Sequence, residues 1–101
     1  MIELTPLARP YAKAMFAAAI EDSSLESTSK ELETIALAAN SPKVTGAIEN
    51  PSLSRKQVVD LLLDLFGGEI SDKSKKLLAI LAENKRLNLF KTIFVIYTEL
   101  V

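Results

Sequence analysis

Apolar residues in this chain recur at helical spacing and are interrupted at short intervals by capping and breaking residues. Only a set of short amphipathic helices accommodates that pattern. The first segment runs from about Leu7 to Asp22, with Pro10 tolerable in the opening turn, where its missing N–H costs nothing. Ser23-Ser24 breaks it. The second starts either at Thr28, which has capping-box spacing to Glu31, or at Ser24, and continues through Leu32, Ile35 and Ala36 to Asn40. Ser41-Pro42 reads as an N-cap followed by proline at N1 and opens a short third helix with Val44, Ala47 and Ile48 as its apolar contacts. Asn50-Pro51 must end it.

Ser54 and Gln57 form another capping box, after which Val58, Leu61, Leu62, Leu65 and Phe66 predict a well-buried fourth helix. Gly67-Gly68 is expected to supply its left-handed stop. Ser71 caps a fifth helix through Leu77, Leu78, Leu81 and Ala82, ending near Asn84, and a sixth follows from Leu87 through Phe90, Ile93, Phe94 and Tyr97 to Leu100. No alternating strand pattern survives this reading. The expected fold is all-α, a six-helix bundle with antiparallel neighbours, since the connections are short. The last helix stops at Val101 in mid-pattern, so residues 1–101 are expected to be one helical domain of a longer chain.

Composition excludes several functions. The chain has no Cys and no His, which removes disulfides and the usual zinc ligand sets. Twelve basic and 13 acidic residues give a formal net charge of −1, so nothing in the balance draws the chain to nucleic acid or anionic lipid. The cluster Lys73, Lys75 and Lys76, diluted by Asp72 and Glu69, reads as a solvated helix face. The apolar runs are far short of the ~18 residues of a membrane span. Glu3 and Pro6 stand where a signal or transit segment would be basic and apolar.

Enzymatic chemistry has little to stand on. Without His, a nucleophilic Ser or Thr lacks its usual base. Gly67-Gly68 is a helix stop and no phosphate cradle, and Asp60 and Asp64 read as a polar stripe. Neither a catalytic residue, a metal site nor a cofactor is expected.

The first helix is the anomaly. Arg9, Lys13 and Ala17 define a narrow outer stripe, while apolar and small residues cover most of the remaining circumference. Such a helix is either central in the bundle or offers one side to a partner, and its alanines let another helix approach closely. Ile80 on the fifth helix likewise stands to one side of its inward stripe, next to Leu77 and flanked by Lys73, Lys76 and Asn84.

The run Leu7-Ala8-Arg9-Pro10-Tyr11-Ala12-Lys13-Ala14-Met15-Phe16 resembles the opening of the delta/OSCP family of F-type ATP synthase subunits. Asn50-Pro51-Ser52-Leu53-Ser54 is similar to the family's link before its fourth helix, and Leu81-Ala82-Glu83-Asn84-Lys85-Arg86-Leu87 to its signature between the fifth and sixth helices. The resemblance implies the family's N-terminal six-helix domain, a non-catalytic stator module supporting proton-driven ATP synthesis. It implies that the module binds the N-terminal helix of the alpha subunit of the catalytic sector in a groove bordered by the first and fifth helices. It also implies attachment to stalk subunit b through a C-terminal part absent here. A peripheral position on the cytoplasmic face of the bacterial plasma membrane is implied too.

On that reading Tyr11, Ala14, Met15 and Ala18 of the first helix, with Leu77 and Ile80 of the fifth, supply contacts, and Lys76 and Asn84 form the rim. Tyr11 is the preferred anchor, with a purely core role as its alternative. Arg9 and Arg86 are read as ties between helix ends and left out of the site. The isolated domain is expected to be a monomer, without direct membrane insertion or nucleic-acid binding. The competing readings are a generic all-α adaptor that binds an unrelated amphipathic helix, and a small enzyme subunit completed by a partner.

Overall fold

Helices α1 (Thr5–Glu21), α2 (Leu25–Ala39), α3 (Pro42–Glu49), α4 (Arg55–Phe66), α5 (Asp72–Glu83) and α6 (Phe90–Leu100) follow one another in the computed structural model. The structure describes residues 4–84 and 86–101, so Glu3 and Lys85 of the Leu81–Leu87 stretch lie outside the described residues. Short 3₁₀ turns at Gly67–Glu69 and Leu87–Leu89 lead into α5 and α6. Among the described residues the fold is all-α, with six helices and no strand.

Local caps set the starts of α3 and α4. Ser41 Oγ accepts a hydrogen bond from the Val44 N–H at 3.3 Å, behind Pro42 at N1 of α3. At α4 the Ser54 N–H donates to Gln57 Oε1 at 2.8 Å and the Gln57 N–H donates to Ser54 Oγ at 3.1 Å, the reciprocal pair of a capping box. Ser23, at φ 58°, makes the left-handed turn between α1 and α2.

Several expectations need correction. Helix α1 starts at Thr5 with Pro6 in its opening turn, which leaves Pro10 inside the helix. Thr28 and Glu31 form no capping box: α2 begins after Ser24, Thr28 is fully buried, and Glu31 turns to another helix. Gly67-Gly68 gives no left-handed stop, since α4 runs on into a 3₁₀ turn and Gly68 lacks a positive φ. Leu61 and Leu65 are 47% and 49% exposed, while Val59 is buried in their place. Helix α4 has apolar residues around more than half its circumference, and its packing on α5 selects Val58, Val59, Leu62 and Phe66 for the interior.

The core joins all six helices. Helix α6 is its centre, packed between α1 and α2, with Phe90, Ile93 and Tyr97 fully buried. The Tyr97 ring meets Phe16 of α1 edge-on at 6.2 Å between centroids, and its hydroxyl donates to the Leu25 carbonyl at 2.7 Å. That bond satisfies a buried donor that would otherwise be costly. Helices α4 and α5 form a second closely packed pair, and α5 meets α1 and α2 only over short stretches. No helix among the described residues is long and apolar enough to cross a membrane.

Candidate functional site

At about 100° per residue, the buried stripe of α1 is Ala8, Ala12, Met15 and Ala19. Phe16 lies to one side of that stripe and turns toward α6. On the opposite side Leu7, Tyr11, Ala14 and Ala18 follow one another at helical spacing. Leu7 is 44% exposed, Ala14 is exposed, and Tyr11 and Ala18 are half-buried, so this flank is a strip of apolar surface with small residues in its middle. Arg9, Lys13 and Ala17 are exposed along the outer stripe, as expected.

Helix α5 has the matching asymmetry. Ser74, Leu77, Leu78, Leu81 and Ala82 are buried, and Ala82 shares a cleft with Val58 on the α4 side. Ile80, Asn84 and Lys73 project from the other side. Ile80 is 46% exposed, with exposed Lys76 one turn before it and exposed Asn84 one turn after. The Asn84 side-chain amide donates to the Ile80 carbonyl at 2.8 Å, which fixes the rim at the helix end.

Lys73 joins the two helices. Its ammonium lies 3.3 Å from Asp22 Oδ2 at the C-terminal end of α1 and donates to Ser24 Oγ at 3.0 Å. Ser24 Oγ in turn donates to Asp22 Oδ1. Lys73 is therefore a tie between elements and no part of a solvated face, which corrects the reading of the Lys73, Lys75 and Lys76 cluster. Hydrogen bonding from Ser24 and the nearby Lys73 ammonium hold the Asp22 carboxyl below its ordinary range.

The candidate residues thus divide. Ala14, Lys76, Ile80 and Asn84 are on the surface, and Tyr11 and Ala18 are half-buried. Met15 and Leu77, each 5% exposed, belong to the core cluster and back the surface from beneath. Leu7, which the sequence reading left out, extends the α1 strip. Arg9 and Arg86 are exposed and form no ion pair among the described residues, so the expected ties between helix ends are not made by them.

Two features escaped sequence reasoning. Leu61 and Leu65, with Val44, Ala47 and Lys43, line an apolar hollow between α3 and α4. Glu31 of α2 accepts three hydrogen bonds at one oxygen, from the Ser71 N–H and hydroxyl at 2.8 Å each and from the Ser74 hydroxyl at 2.7 Å. The available signal was Ser74 itself: it stands where a capping box would carry Glu or Gln. No group of three metal-ligating side chains occurs among the described residues, and Asp60 and Asp64 are both exposed.

A family model described as the ATP synthase delta (OSCP) subunit matches residues 7–101. The chain is 34% identical over 100 residues to the ATP synthase subunit delta of Hydrogenovibrio crunogenus, covering 99% of this chain and 56% of that protein. It is 38% identical over 101 residues to the subunit delta of Alkalilimnicola ehrlichii, with coverage of 99% and 56%. Against the Thioalkalivibrio sulfidiphilus protein it is 38% identical over 97 residues, with coverage of 96% and 54%. The chain spans about half the length of the curated relatives it matches.

Proposed function

This chain belongs to the ATP synthase delta (OSCP) subunit family, and from that premise we propose that it is the helix-gripping part of a non-catalytic stator subunit. Its partner is the N-terminal helix of an alpha subunit of the catalytic sector. Its task is to keep that sector from turning with the rotor during proton-driven ATP synthesis. Stalk subunit b is reached through the part of the family's length that this chain does not span. In a bacterial enzyme the assembly sits peripherally on the cytoplasmic face of the plasma membrane.

The observation that carries this reading is the pair of unpartnered flanks: Leu7, Tyr11, Ala14 and Ala18 on α1, and Ile80 and Asn84 on α5, tied at one end by Lys73 and Asp22. That tie places the first turn of α5 beside the C-terminal end of α1. An amphipathic helix laid into such a groove buries apolar side chains at i, i+3, i+4 and i+7. Ala14 and Ala18 let its backbone come close, Tyr11 supplies an aromatic anchor with a polar tip, and Lys76 favours acidic residues along its edge.

Substituting Ile80→Asp tests this reading. The residue is 46% exposed, so a solvated carboxylate there leaves the thermal midpoint of the free chain nearly unchanged. A docked helix must desolvate that carboxylate against apolar side chains, a penalty of at least ~2 kcal/mol, or about thirtyfold in Kd. Calorimetric titration with a synthetic alpha-subunit N-terminal peptide measures it. Full affinity in Ile80→Asp places the partner elsewhere, and unfolding of the variant makes Ile80 a core residue.

A further inference from the structure

We propose that Glu31 is a positioning residue for the helix-binding groove: it clasps the first turn of α5 to α2 and so fixes the spacing between α5 and α1. The proposal rests on the reading that the α1 and α5 flanks form that groove.

Helix α5 makes no side-chain cap of its own. Ser71 is its N-cap and Ser74 occupies N3, where the carboxylate or amide of a capping box would reach back to the N-cap N–H. A serine is too short for that reach. Glu31, distant in sequence, takes the role: its Oε1 accepts from the Ser71 N–H and from both serine hydroxyls, at 2.7–2.8 Å. Ser74 is fully buried, so without Glu31 its hydroxyl loses the partner that satisfies it. The carboxylate also stands at the positive end of the α5 dipole.

The same turn is held from a second side, because Lys73 reaches Asp22 and Ser24 at the junction of α1 and α2. These polar ties matter because α5 packs extensively on α4 but touches α1 and α2 only over short stretches. Apolar packing therefore couples α5 to α4 and leaves its distance from α1 weakly determined. Glu31 and Lys73 supply directional bonds where packing is sparse.

The test uses the 101-residue chain, which has no native cysteine to interfere with labelling. Spin labels at Lys13→Cys and Glu83→Cys, both exposed, report the α1–α5 distance by pulsed electron resonance. In the labelled parent the distribution is narrow. Glu31→Ala broadens or displaces it, and with the groove-competent arrangement reduced to roughly a fifth, affinity for the alpha-subunit N-terminal peptide falls about fivefold.

Glu31→Gln keeps an acceptor oxygen at the same reach and recovers part of both effects, a rescue that loss of general stability would not follow. Ser74→Ala removes one of the three bonds and serves if Glu31→Ala does not fold. An unchanged distance distribution in either variant overturns the clasp, and a broadened one with undiminished affinity overturns its role in binding. If the parent chain fails to bind the peptide, the groove reading falls, while the distance measurement still decides whether Glu31 positions α5.

Discussion

Replacing Leu62 and its neighbour Leu61 by alanine, one at a time, separates the two sides of α4 with the same chemistry. Leu62 is 2% exposed, and it lines a small apolar void of about 10 Å³ with Ile35, Ala39, Val44, Phe66, Leu78 and Leu87. Side chains from α2, α3 and α5 surround it, so removing its isobutyl group enlarges a void that these helices close only by moving together. Core Leu→Ala changes cost roughly 2–5 kcal/mol as lost transfer energy plus a cavity, and the existing void puts Leu62→Ala at about 3–4 kcal/mol. Against a total stability of about 5–15 kcal/mol, that is a large fraction. Leu61, 47% exposed on the α3–α4 hollow, leaves no enclosed cavity, so Leu61→Ala costs at most about 1 kcal/mol. Urea unfolding followed by circular dichroism, with an unchanged slope, gives both numbers. Equal losses would refute the orientation of α4, and two losses below about 0.5 kcal/mol would refute its packing.

Tyr97→Phe removes the hydroxyl's bond to the Leu25 carbonyl and its interaction with Thr28 while keeping the ring against Phe16, at a cost of about 1 kcal/mol and a melting-temperature drop of ~4–8 °C. An unshifted melt means that the hydroxyl does not tie α6 to α2. Burial pushes the Glu31 carboxyl up, but the bonds from Ser71 and Ser74 and the charge of Lys73 outweigh it, so its folded pKa lies below the ordinary glutamate value of about 4.3. The stability it contributes is complete above that value and is lost as pH falls through the lower folded pKa, so the parent loses more urea resistance than Glu31→Gln between pH 7 and 3; parallel losses would exclude the clasp as a source of acid sensitivity.

The helical class was legible from apolar spacing, and the starts of α3 and α4 were legible because caps act locally. Ser41-Pro42 and the Ser54–Gln57 box announce their helices within one turn of sequence, and the bonds form as the spacing requires. What stayed illegible depends on distant elements. Leu61, Leu62 and Leu65 are alike in an apolar pattern wider than one contact, and only the packing of α5 decides which of them is buried. The same holds at the candidate site. The broad apolar arc of α1 could be read, but not that Met15 turns inward while Ala14 stays out. Glu31 looked like half of a local capping box with Thr28, and no local rule points from it to Ser71.

The long-range polar contacts gather at one end of the bundle. Ser24 and Leu25 at the start of α2 receive Lys73 and Tyr97, and Glu31 nearly two helical turns further on receives Ser71 and Ser74. Directional bonds tolerate little displacement, so this end, where α1 finishes and α5 starts, has a fixed geometry. Away from that end Tyr11 packs on the core, Leu7 and Ile80 are nearly half exposed, and the Asn84 amide bonds within its own helix. Apolar burial has no preferred direction, so side chains there can shift by small amounts at little cost. In the proposed function, a groove fixed at one end and adaptable at the other would set the register of an incoming helix at its closed end and accommodate differences in side-chain size at its open end. That division suits a clamp whose strength comes from the sum of many weak contacts, since the fixed end removes the entropy of sliding while the other maximises burial.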